Sequence, residues 1–487
     1  MHFIARKTFG QGHRCFLVAS FGSCPCNARY LVPLALVCLL LTGCGRIGAE
    51  SPVPQVSSEV IRQVAKGEQQ FAFDLYAKMI ASTDGENVFF SPHSVYSVLA
   101  MVAEGADGET AEQMAKVLGL EKQEGASQFA NTHQGLAALA AELKGSAPES
   151  KDRHILLTAN ALWVDKSFPL APSYQQALGP YLASGGGVFA CDFRNQYPAE
   201  AKRIDQWCSD NTRARITNIM PNLGAREAEL LKLVLTNAVY FEGKWFEPFD
   251  PKNTRPQKFR LADGEAIETA MMNARNYSAG RYGAVAADGT WFETPATYDT
   301  RQPVEEQGLY PEGEGFTMVE LPYQGDRLSM LLIAPRGHEG LPHIERLITA
   351  ERLAGWVEKM KPRQLARLQM PKLDLATDYD MTQNLAGLGM ERAFTPGGAD
   401  FSRMVAASDS SQQVYLSMVL HKATLEVDEQ GTIAAAVTAG LVEATAAPIQ
   451  STRPFRPEFL ADRPFLLLIR DRQTGDILFM GRINDPR

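Results

Sequence analysis

The chain has 487 residues, 45% of them hydrophobic and 21% charged, and its 48 basic side chains against 56 acidic ones give a net charge of −8. This balance is ordinary for a globular protein and supplies no basic face for phosphates, so we expect no nucleic-acid partner. Because the sequence also lacks internal repeats and any linker rich in glycine, serine or proline, it predicts one large domain.

The N-terminal segment predicts export and membrane attachment. Arg29 precedes an apolar run at 31–41 that is too short to cross a bilayer comfortably and is followed by small residues, as in a secretory signal. The residues Leu-Thr-Gly-Cys ending at Cys44 resemble a bacterial lipobox, which implies cleavage before Cys44 and diacylation of its thiol. We therefore predict a lipoprotein-type signal peptide at 1–43 and a tether at 44–60, with the protein facing the periplasm or the extracellular space. A leader that ends in an unmodified cysteine is the alternative.

Cysteine usage agrees with export. The cysteines before Cys44 would leave with the signal peptide, so that Cys191 and Cys208 would remain as thiols of the folded body. They could form one disulfide in an oxidising compartment or stay as two buried thiols, and the sequence leaves both open. The histidines show none of the short spacings of a zinc site, so no metal and no cofactor are predicted.

Hydrophobic periodicity predicts helices in the first half of the chain. Apolar residues recur at helical spacing over 94–102, behind Ser91-Pro92, a pair that suits a helix start. A second amphipathic helix is predicted over 199–216. Its inner face would carry Ile204, Trp207 and Cys208.

Strands are predicted to be denser in the second half. The segments 316–321 and 328–334 are apolar and flank the turn signal Gly325-Asp326. Between the helical and strand-rich parts, the stretch 283–315 is rich in Asp, Glu, Thr, Gly and Pro and lacks periodicity, so we interpret it as an exposed insertion. The fold class that results is α+β.

A run of small residues at 427–440 stands out near the end of the chain. If it is extended, Thr432, Ala434, Ala436 and Thr438 share one face, and both faces are small enough to enter a sheet. Helix propensity alone favours an alanine-rich helix instead. The blocks elsewhere in the chain argue against that helix.

Blocks spread along the chain, in the right order, resemble the serpin family and together cover nearly everything from about residue 60 onward. They are Asn-Val-Phe-Phe-Ser-Pro-His-Ser-Val at 87–95, Glu-Gly-Ala-Asp-Gly-Glu-Thr at 104–110, Leu-Thr-Ala-Asn-Ala-Leu-Trp-Val at 157–164, Leu-Thr-Asn-Ala-Val-Tyr-Phe-Glu-Gly-Lys-Trp at 235–245, Val-Glu-Leu-Pro-Tyr at 319–323, Glu-Gln-Gly-Thr at 429–432 and Ile-Leu-Phe-Met-Gly-Arg-Ile at 477–483. A chance match to one block is plausible, whereas a match to all of them in sequence is not.

This resemblance implies a single serpin domain over 61–487 with three β-sheets, about nine helices and an exposed reactive-centre loop at about 429–458. The family's functional regions fall on particular residues here. They are the hinge (Glu429, Gln430, Gly431, Thr432, Ile433, Ala434, Ala435 and Ala436), the shutter beneath the sheet (Ser91, Ser94, Asn237 and His421), and the breach (Trp245).

The chain is not predicted to be an enzyme. A Ser-His-Asp hydrolase needs a nucleophile on a strained turn such as Gly-x-Ser-x-Gly, and no such motif occurs. The polar residues inside apolar blocks, including His421, match the shutter of the family, and a satisfied structural role is the safer expectation for a lone histidine.

The function implied by the resemblance is suicide inhibition of a protease. The target would cleave the loop, and the segment after Gly431, held outside the fold until then, would insert as a missing strand of the central sheet. Gln430 stands where an acid is common in the family and Ile433 replaces a frequent Glu, but neither adds a charge, so we favour an inhibitor. A non-inhibitory serpin that acts as a carrier, chaperone or surface protein is the alternative.

Counting from Gly431 at the family's usual interval places the reactive bond at Thr445-Ala446. Small residues there suit the shallow pockets of elastase- or subtilisin-like serine proteases, and a papain-like cysteine protease is a further alternative. Trypsin is disfavoured because Arg453 and Arg456 are each followed by proline. We expect a monomer that forms a covalent acyl complex with its target.

Overall fold

The computed structural model describes residues 56–144, 154–179, 186–303, 306–337, 340–406, 414–432 and 452–487. The described residues all belong to one compact unit, Ser51–Arg487. Several predicted features lie outside the described residues. They are the signal peptide with Cys44, the hinge residues Ile433, Ala434, Ala435 and Ala436, and the reactive bond Thr445-Ala446.

Ten α-helices occur in the described residues, close to the nine expected. They are α1 (Ser58–Ser82), α2 (Pro92–Gly105), α3 (Gly108–Leu118), α4 (Ala130–Lys144), α5 (Pro172–Ala177), α6 (Phe193–Asn211), α7 (Ala225–Leu230), α8 (Gly340–Leu347), α9 (Ala350–Lys359) and α10 (Thr382–Leu385). Helix α1 begins inside the segment predicted as a tether, 44–60. Across the described ranges, we find no helix with the length and apolar character needed to cross a membrane.

Helix α2 shows how local sequence sets the fold. Ser91 caps it, its Oγ accepting a hydrogen bond from the amide of Ser94, and Pro92 occupies the first helical position. The predicted helix is confirmed, and every residue of α2 is buried.

The second predicted helix, 199–216, has the wrong limits. Asp192 caps α6 earlier in the chain, and the positive φ angles of Arg213 and Ala214 end the helix before residue 216.

The strands form three principal sheets, as expected, and one small ribbon that was not anticipated. In chain order they are β1 (Val88–Phe90), β2 (Ile155–Asp165), β3 (Gly187–Cys191), β4 (Leu233–Lys244), β5 (Arg255–Arg260), β6 (Ala266–Tyr277), β7 (Arg281–Val285), β8 (Thr297–Asp299), β9 (Phe316–Pro322), β10 (Leu328–Pro335), β11 (Lys361–Pro362), β12 (Leu365–Pro371), β13 (Leu373–Asp380), β14 (Leu416–Val427), β15 (Gly431–Thr432), β16 (Thr452–Pro454), β17 (Glu458–Leu460), β18 (Phe465–Asp471) and β19 (Ile477–Ile483).

Each sheet combines strands from distant parts of the chain. A seven-stranded sheet has the order β1-β19-β18-β10-β9-β7-β11, and a four-stranded sheet has the order β17-β12-β6-β5. The six-stranded sheet, called here the central sheet, has the order β13-β14-β4-β2-β3, with the short β15 on β4. Strands β16 and β8 form the separate ribbon.

The predicted strands around Gly325-Asp326 are confirmed as β9 and β10, and both turn residues have positive φ.

The predicted insertion at 283–315 begins too early. Gly283, Ala284 and Val285 belong to β7, pair with β9 and are buried, because these small apolar residues fill a sheet position. The remainder of the segment is mostly exposed, although it contributes β8 to the ribbon.

Candidate functional site at the gap in the central sheet

Two neighbouring strands of the central sheet separate toward one end. Strands β14 and β4 run parallel and are paired from Leu416 opposite Leu233 to Thr424 opposite Tyr240. Beyond that point β4 pairs instead with β15, which runs antiparallel to it, Gly431 opposite Lys244 and Thr432 opposite Gly243. The start of the predicted loop therefore enters the opening between two parallel strands, where a strand antiparallel to both would fit.

A tight turn carries the chain from β14 into this opening. The Asp428 carboxylate accepts hydrogen bonds from the amides of Gln430 (2.8 Å) and Gly431 (3.2 Å), and the Asp428 amide donates to the Gly431 carbonyl (2.8 Å). Gly431 has a φ of +146°, and a Cβ added there would lie 2.1 Å from the Gly243 carbonyl oxygen. Glycine is therefore required by both the backbone conformation and the close approach of β4.

Thr432 is inside the fold, which corrects the expectation that the segment after Gly431 lies outside it. Its side chain is 0% exposed, and its Oγ1 lies 3.0 Å from the Tyr323 hydroxyl. The Tyr323 ring stacks on the indole of Trp245 at 4.7 Å between centroids. Trp245 in turn donates from its amide to the Gln430 carbonyl (2.9 Å) and from Nε1 to the Asp428 carbonyl (3.0 Å). Aromatic packing thus holds the first inserted residue and the turn together.

Glu429 anchors the same turn from the other side and is 7% exposed, although it was predicted to begin an exposed loop. Its carboxylate accepts from Thr254 Oγ1 (2.6 Å) and pairs with Lys372 Nζ (2.8 Å), and its carbonyl accepts from the Phe249 amide (2.8 Å). Burial acts to raise the pKa of Glu429, but the bonds from Lys372 and Thr254 outweigh it and hold that pKa below its ordinary value. The turn is therefore closed by an ionised carboxylate.

A buried polar network lies beneath the paired part of the same two strands. Asn237 Nδ2 donates to Ser94 Oγ (2.5 Å) and to Asn160 Oδ1 (2.7 Å), and Ser94 Oγ donates to Asn160 Oδ1 (2.8 Å). The Ser91 amide donates to His421 Nε2 (3.1 Å), so the proton of the neutral ring is on Nδ1, which donates to Asn237 Oδ1 (2.5 Å). All four residues named as the shutter come together here. Their role in sheet opening stays a prediction.

Asn160 is the member of this network that sequence reasoning missed. It lies in the block at 157–164, directly opposite Asn237, which is itself opposite His421. An asparagine inside an apolar strand was the available signal. Because His421 is fully buried, its pKa falls to about 3, and the ring stays neutral. Separating β4 from β14 would break the bond between His421 and Asn237.

The far end of the predicted loop is held by the insertion. Strand β16 pairs antiparallel with β8, and the ring of Phe455 packs edge-on against Tyr298 and Tyr310, with centroids 6.4 Å and 5.4 Å away. The Tyr310 hydroxyl accepts a hydrogen bond from the Glu458 amide (2.9 Å), and the Arg336 guanidinium lies 3.9 Å over the Tyr310 ring. Sequence reasoning found the insertion but not this contact.

The two body cysteines are both free and buried. Burial raises the pKa of each thiol to about 12, so both stay protonated and unreactive at neutral pH. Of the two alternatives left open by the sequence, the pair of buried thiols is the one found.

Comparison with known proteins agrees with this geometry. A family model described as Serpin (serine protease inhibitor) matches residues 66–486. The chain is 30% identical to antithrombin-III of Homo sapiens over 90% of its own length and 85% of that protein, and 32% identical to Serpin B6 of Macaca fascicularis over 87% and 99%. It also resembles the solved structure of thyroxine-binding globulin in complex with thyroxine, with a TM-score of 0.67 and 23% identity over 87% of this chain and 99% of that one.

Proposed function

Because the chain belongs to the serpin family, we propose that it inhibits a protease by offering a loop for cleavage and then inserting that loop into its central sheet. The observation that carries the proposal is the position of β15. Two residues of the loop already pair with β4 at the open end of the sheet, while β14 and β4 still pair directly with each other farther along. The residues after Thr432 could extend this short strand once cleavage frees them.

Cleavage would release free energy that the native fold stores. A new strand between β4 and β14 would replace one parallel ladder by two antiparallel ones and would bury more apolar surface. The native state is then kinetically trapped and not at its free-energy minimum. This storage of free energy is what allows an inhibitor to act on a protease that has already attacked it.

The inhibitory step competes with hydrolysis. The protease attacks the loop carbonyl and forms an acyl-enzyme, and the bond to the C-terminal segment breaks. That segment stays attached to the body of the fold through β16, which pairs with β8, and through the strands that follow it. The freed segment from Thr432 onward then inserts and carries the attached protease with it. Distortion of the protease removes the oxyanion geometry that deacylation needs, so the ester persists.

The composition of the hinge supports rapid insertion. Residues 432–439 are Thr-Ile-Ala-Ala-Ala-Val-Thr-Ala and carry no charge. A charged side chain in this segment would have to be desolvated in the opening sheet, at several kcal/mol if it remained unpaired. The small uncharged side chains keep that barrier low and distinguish the hinge from one that could not insert.

We propose Thr445-Ala446 as the reactive bond and an elastase- or subtilisin-like serine protease as the target. A shallow specificity pocket accepts threonine before the cleaved bond, whereas a trypsin-like pocket requires a cation. A papain-like cysteine protease is the further candidate. The partner is in each case a protease that forms a covalent complex with one copy of this chain.

The test is incubation with elastase, subtilisin, trypsin and papain, followed by denaturing electrophoresis. We expect an adduct that survives boiling with elastase or subtilisin, and the N-terminus of the released peptide should be Ala446. Thr445→Arg should add trypsin to the proteases that are trapped, while the hinge stays unchanged. Clipping of the chain by all four proteases without any adduct would contradict the inhibitory function.

The second candidate is a non-inhibitory carrier. The observation that favours it is the structural similarity to thyroxine-binding globulin in complex with thyroxine, which at 23% identity supports the shared fold alone. A carrier would be cleaved as a simple substrate in the same incubation, so the one experiment separates the two functions.

We also propose that the protein is exported and anchored to a membrane by lipid on Cys44. The support is the apolar run at 31–41 followed by the lipobox-like sequence ending at Cys44. Two acyl chains give stable attachment where one gives only marginal binding.

A further inference from the structure

Three buried ionisable side chains meet in a part of the fold that the proposed inhibition does not use. Glu68 lies on α1, His93 in the first turn of α2, and Asp476 immediately before β19, with exposures of 1%, 7% and 0%. His93 Nδ1 lies 3.2 Å from Glu68 Oε1 and 2.9 Å from Asp476 Oδ2. One potential ligand atom from each residue lies within 4.8 Å of the others. We call these three residues the buried triad.

Hydrogen bonds do not satisfy the buried triad. His93 Nδ1 and the four carboxylate oxygens of Glu68 and Asp476 form no hydrogen bond of acceptable geometry with any described residue. Buried carboxylates are rarely left in this way, since an unsatisfied charge is strongly destabilising. The oxygens near His93 Nδ1 are close enough to accept a proton, so it is their direction that fails. They lie off the axis of the nitrogen lone pair.

A second buried histidine in the same chain shows the contrast. His133 Nε2 lies 3.2 Å from Glu104 Oε2, and this carboxylate also accepts from the amides of Gln128 and Phe129 and from Ser127 Oγ. Hydrogen bonds therefore satisfy Glu104 completely. The buried triad differs from this pair in having two carboxylates and no other hydrogen-bond donors to them.

We propose that Glu68, His93 and Asp476 bind one divalent transition-metal ion of the zinc class, with the ion on the lone-pair axis of His93 Nδ1. Once a metal ion has displaced their protons, the two carboxylates and the neutral imidazole carry two negative charges, which a divalent cation neutralises. Ligands about 2.0 to 2.1 Å from a tetrahedral zinc ion lie about 3.3 Å from one another, close to the nitrogen–oxygen separations found here. Mixed nitrogen and oxygen ligands suit Zn²⁺ or Mn²⁺ and leave a fourth position for water.

A cleft lies next to the chain neighbours of the two carboxylates. Gln69, Gly475 and Ile477, the chain neighbours of the two carboxylates, line a cleft of about 430 Å³ beside the buried triad. The cleft also contains Arg281 and Arg470, but both pair with the carboxylate of Glu320. Spacing along the sequence indicated no metal because the three ligands are far apart in the chain and meet only in the folded protein.

An ion at this place would connect three elements near the shutter. His93 lies between Ser91 and Ser94, which supply two hydrogen bonds to the network under β4 and β14. Metal binding would hold the start of α2 against α1 and the start of β19. It should therefore stabilise the native state by an amount that grows with the logarithm of the ion concentration, as any ligand of the folded form does.

The test uses Co²⁺ and Zn²⁺ alone as probes of the full chain after treatment with a chelator. We expect one Co²⁺ per chain, with the visible absorption of nitrogen and oxygen ligation, and a higher thermal midpoint in Zn²⁺. Glu68→Gln and Asp476→Asn, which preserve shape, should each weaken binding by more than about 100-fold. Loss of a group that only hydrogen-bonds to a metal ligand already weakens binding about 10- to 100-fold.

Matched controls separate the buried triad from other ligands. Glu104→Gln alters the other buried histidine–carboxylate pair, and Cys191→Ser removes a thiol, and both should leave the affinity unchanged. The proposal is overturned if chelator-treated wild-type protein takes up no Co²⁺, or if Glu68→Gln binds as well as wild type. A sulfur-to-cobalt charge-transfer band would assign the ion to a cysteine and would overturn it even if the carboxylate variants did not fold.

Discussion

At the scale of single residues, the candidate site depends on two side chains whose surroundings decide their chemistry. His421 stays neutral because it is fully buried. Its ring accepts a hydrogen bond from the Ser91 amide and donates one to Asn237. Thr432 is buried against Tyr323 at the point where the loop begins to enter the sheet. His421 lies where β14 and β4 are still paired, and Thr432 lies where β4 pairs with β15 instead.

Acid should weaken the network through His421. Its pKa is about 3 in the folded protein and 6.5 without burial, so between these values the unfolded chain binds a proton that the folded chain does not. The stability due to neutral His421 is therefore complete above pH 6.5 and is lost progressively as the pH falls toward 3. We expect the thermal midpoint to fall more steeply with acidification in wild type than in His421→Gln.

The control for this measurement is His343→Gln, which removes a histidine outside the network and should keep the wild-type slope. Other groups also titrate in this range, so the difference between wild type and variant is the quantity to measure. Equal slopes for wild type and His421→Gln would show that His421 does not govern the acid response.

Thr432→Arg should convert the inhibitor into a substrate. The charged side chain cannot occupy the buried position beside Tyr323 without desolvation, so insertion should slow by more than about tenfold while cleavage of the loop continues. Thr432→Val is the matched control, since it keeps the shape and removes about 1 kcal/mol of hydrogen bonding. We expect adducts from Thr432→Val and mostly clipped chain from Thr432→Arg, as measured by gel densitometry. Equal adduct yields would contradict the assignment of the hinge.

At the scale of secondary structure, strands β4 and β14 and the ribbon of β8 with β16 define where the two ends of the loop are attached. The loop is paired at its start through β15 and at its far end through β16, so both ends are fixed to the body of the fold. The insertion is thus part of the loop's attachment, although sequence reasoning treated it as a separate exposed segment.

Tyr310→Ala should loosen the far end of the loop. The substitution removes the ring that packs on Phe455 and the hydroxyl that accepts from the Glu458 amide. Tyr310→Phe is the matched control, because it loses only that hydrogen bond, about 1 kcal/mol. Hydrogen exchange of residues 452–460 should be fastest in Tyr310→Ala and intermediate in Tyr310→Phe. Unchanged exchange in both variants would mean that the insertion does not hold this segment.

At the scale of the whole molecule, we propose that the fold is kinetically trapped and that its central sheet can open to accept one more strand. Most cuts in a folded protein lower its stability. A cut in this loop should do the opposite, because the freed segment can complete the sheet.

Cleavage within 441–450 by a protease that is not trapped should raise the thermal midpoint by on the order of 20 °C or more. An added central strand contributes many kcal/mol to the free energy of unfolding, and each kcal/mol raises the midpoint by a few degrees. Scanning calorimetry of intact and cleaved protein measures this shift. An unchanged or lower midpoint after cleavage would favour the non-inhibitory alternative.

Cys44→Ser should release the protein from membranes. Without the thiol no diacyl anchor can form, and the apolar attachment that holds the protein at the surface is lost. Fractionation of cells that express wild type and the variant measures the outcome, with Cys191→Ser as a control that removes a cysteine of the folded body. A wild-type protein found entirely in the soluble fraction would contradict the lipobox interpretation.

The sequence by itself determined those features that residues close together in the chain are sufficient to specify. The cap and periodicity of α2, the turn between β9 and β10 and the ordered blocks of the family all depend on residues close together in the chain. Local patterns record which face of an element is buried and where an element starts. They predicted the α+β fold, and the resemblance to the serpin family named most of the polar network.

Only the tertiary structure decided which distant residues meet. The place of Thr432 beside Tyr323, the membership of Asn160 in the polar network and the contact of β8 with β16 all join segments far apart in the chain. The same holds for Glu68 and Asp476 on either side of His93. The physical reason is that a hydrophobic pattern specifies burial but not the partner, and the partner is selected when sheets and helices pack.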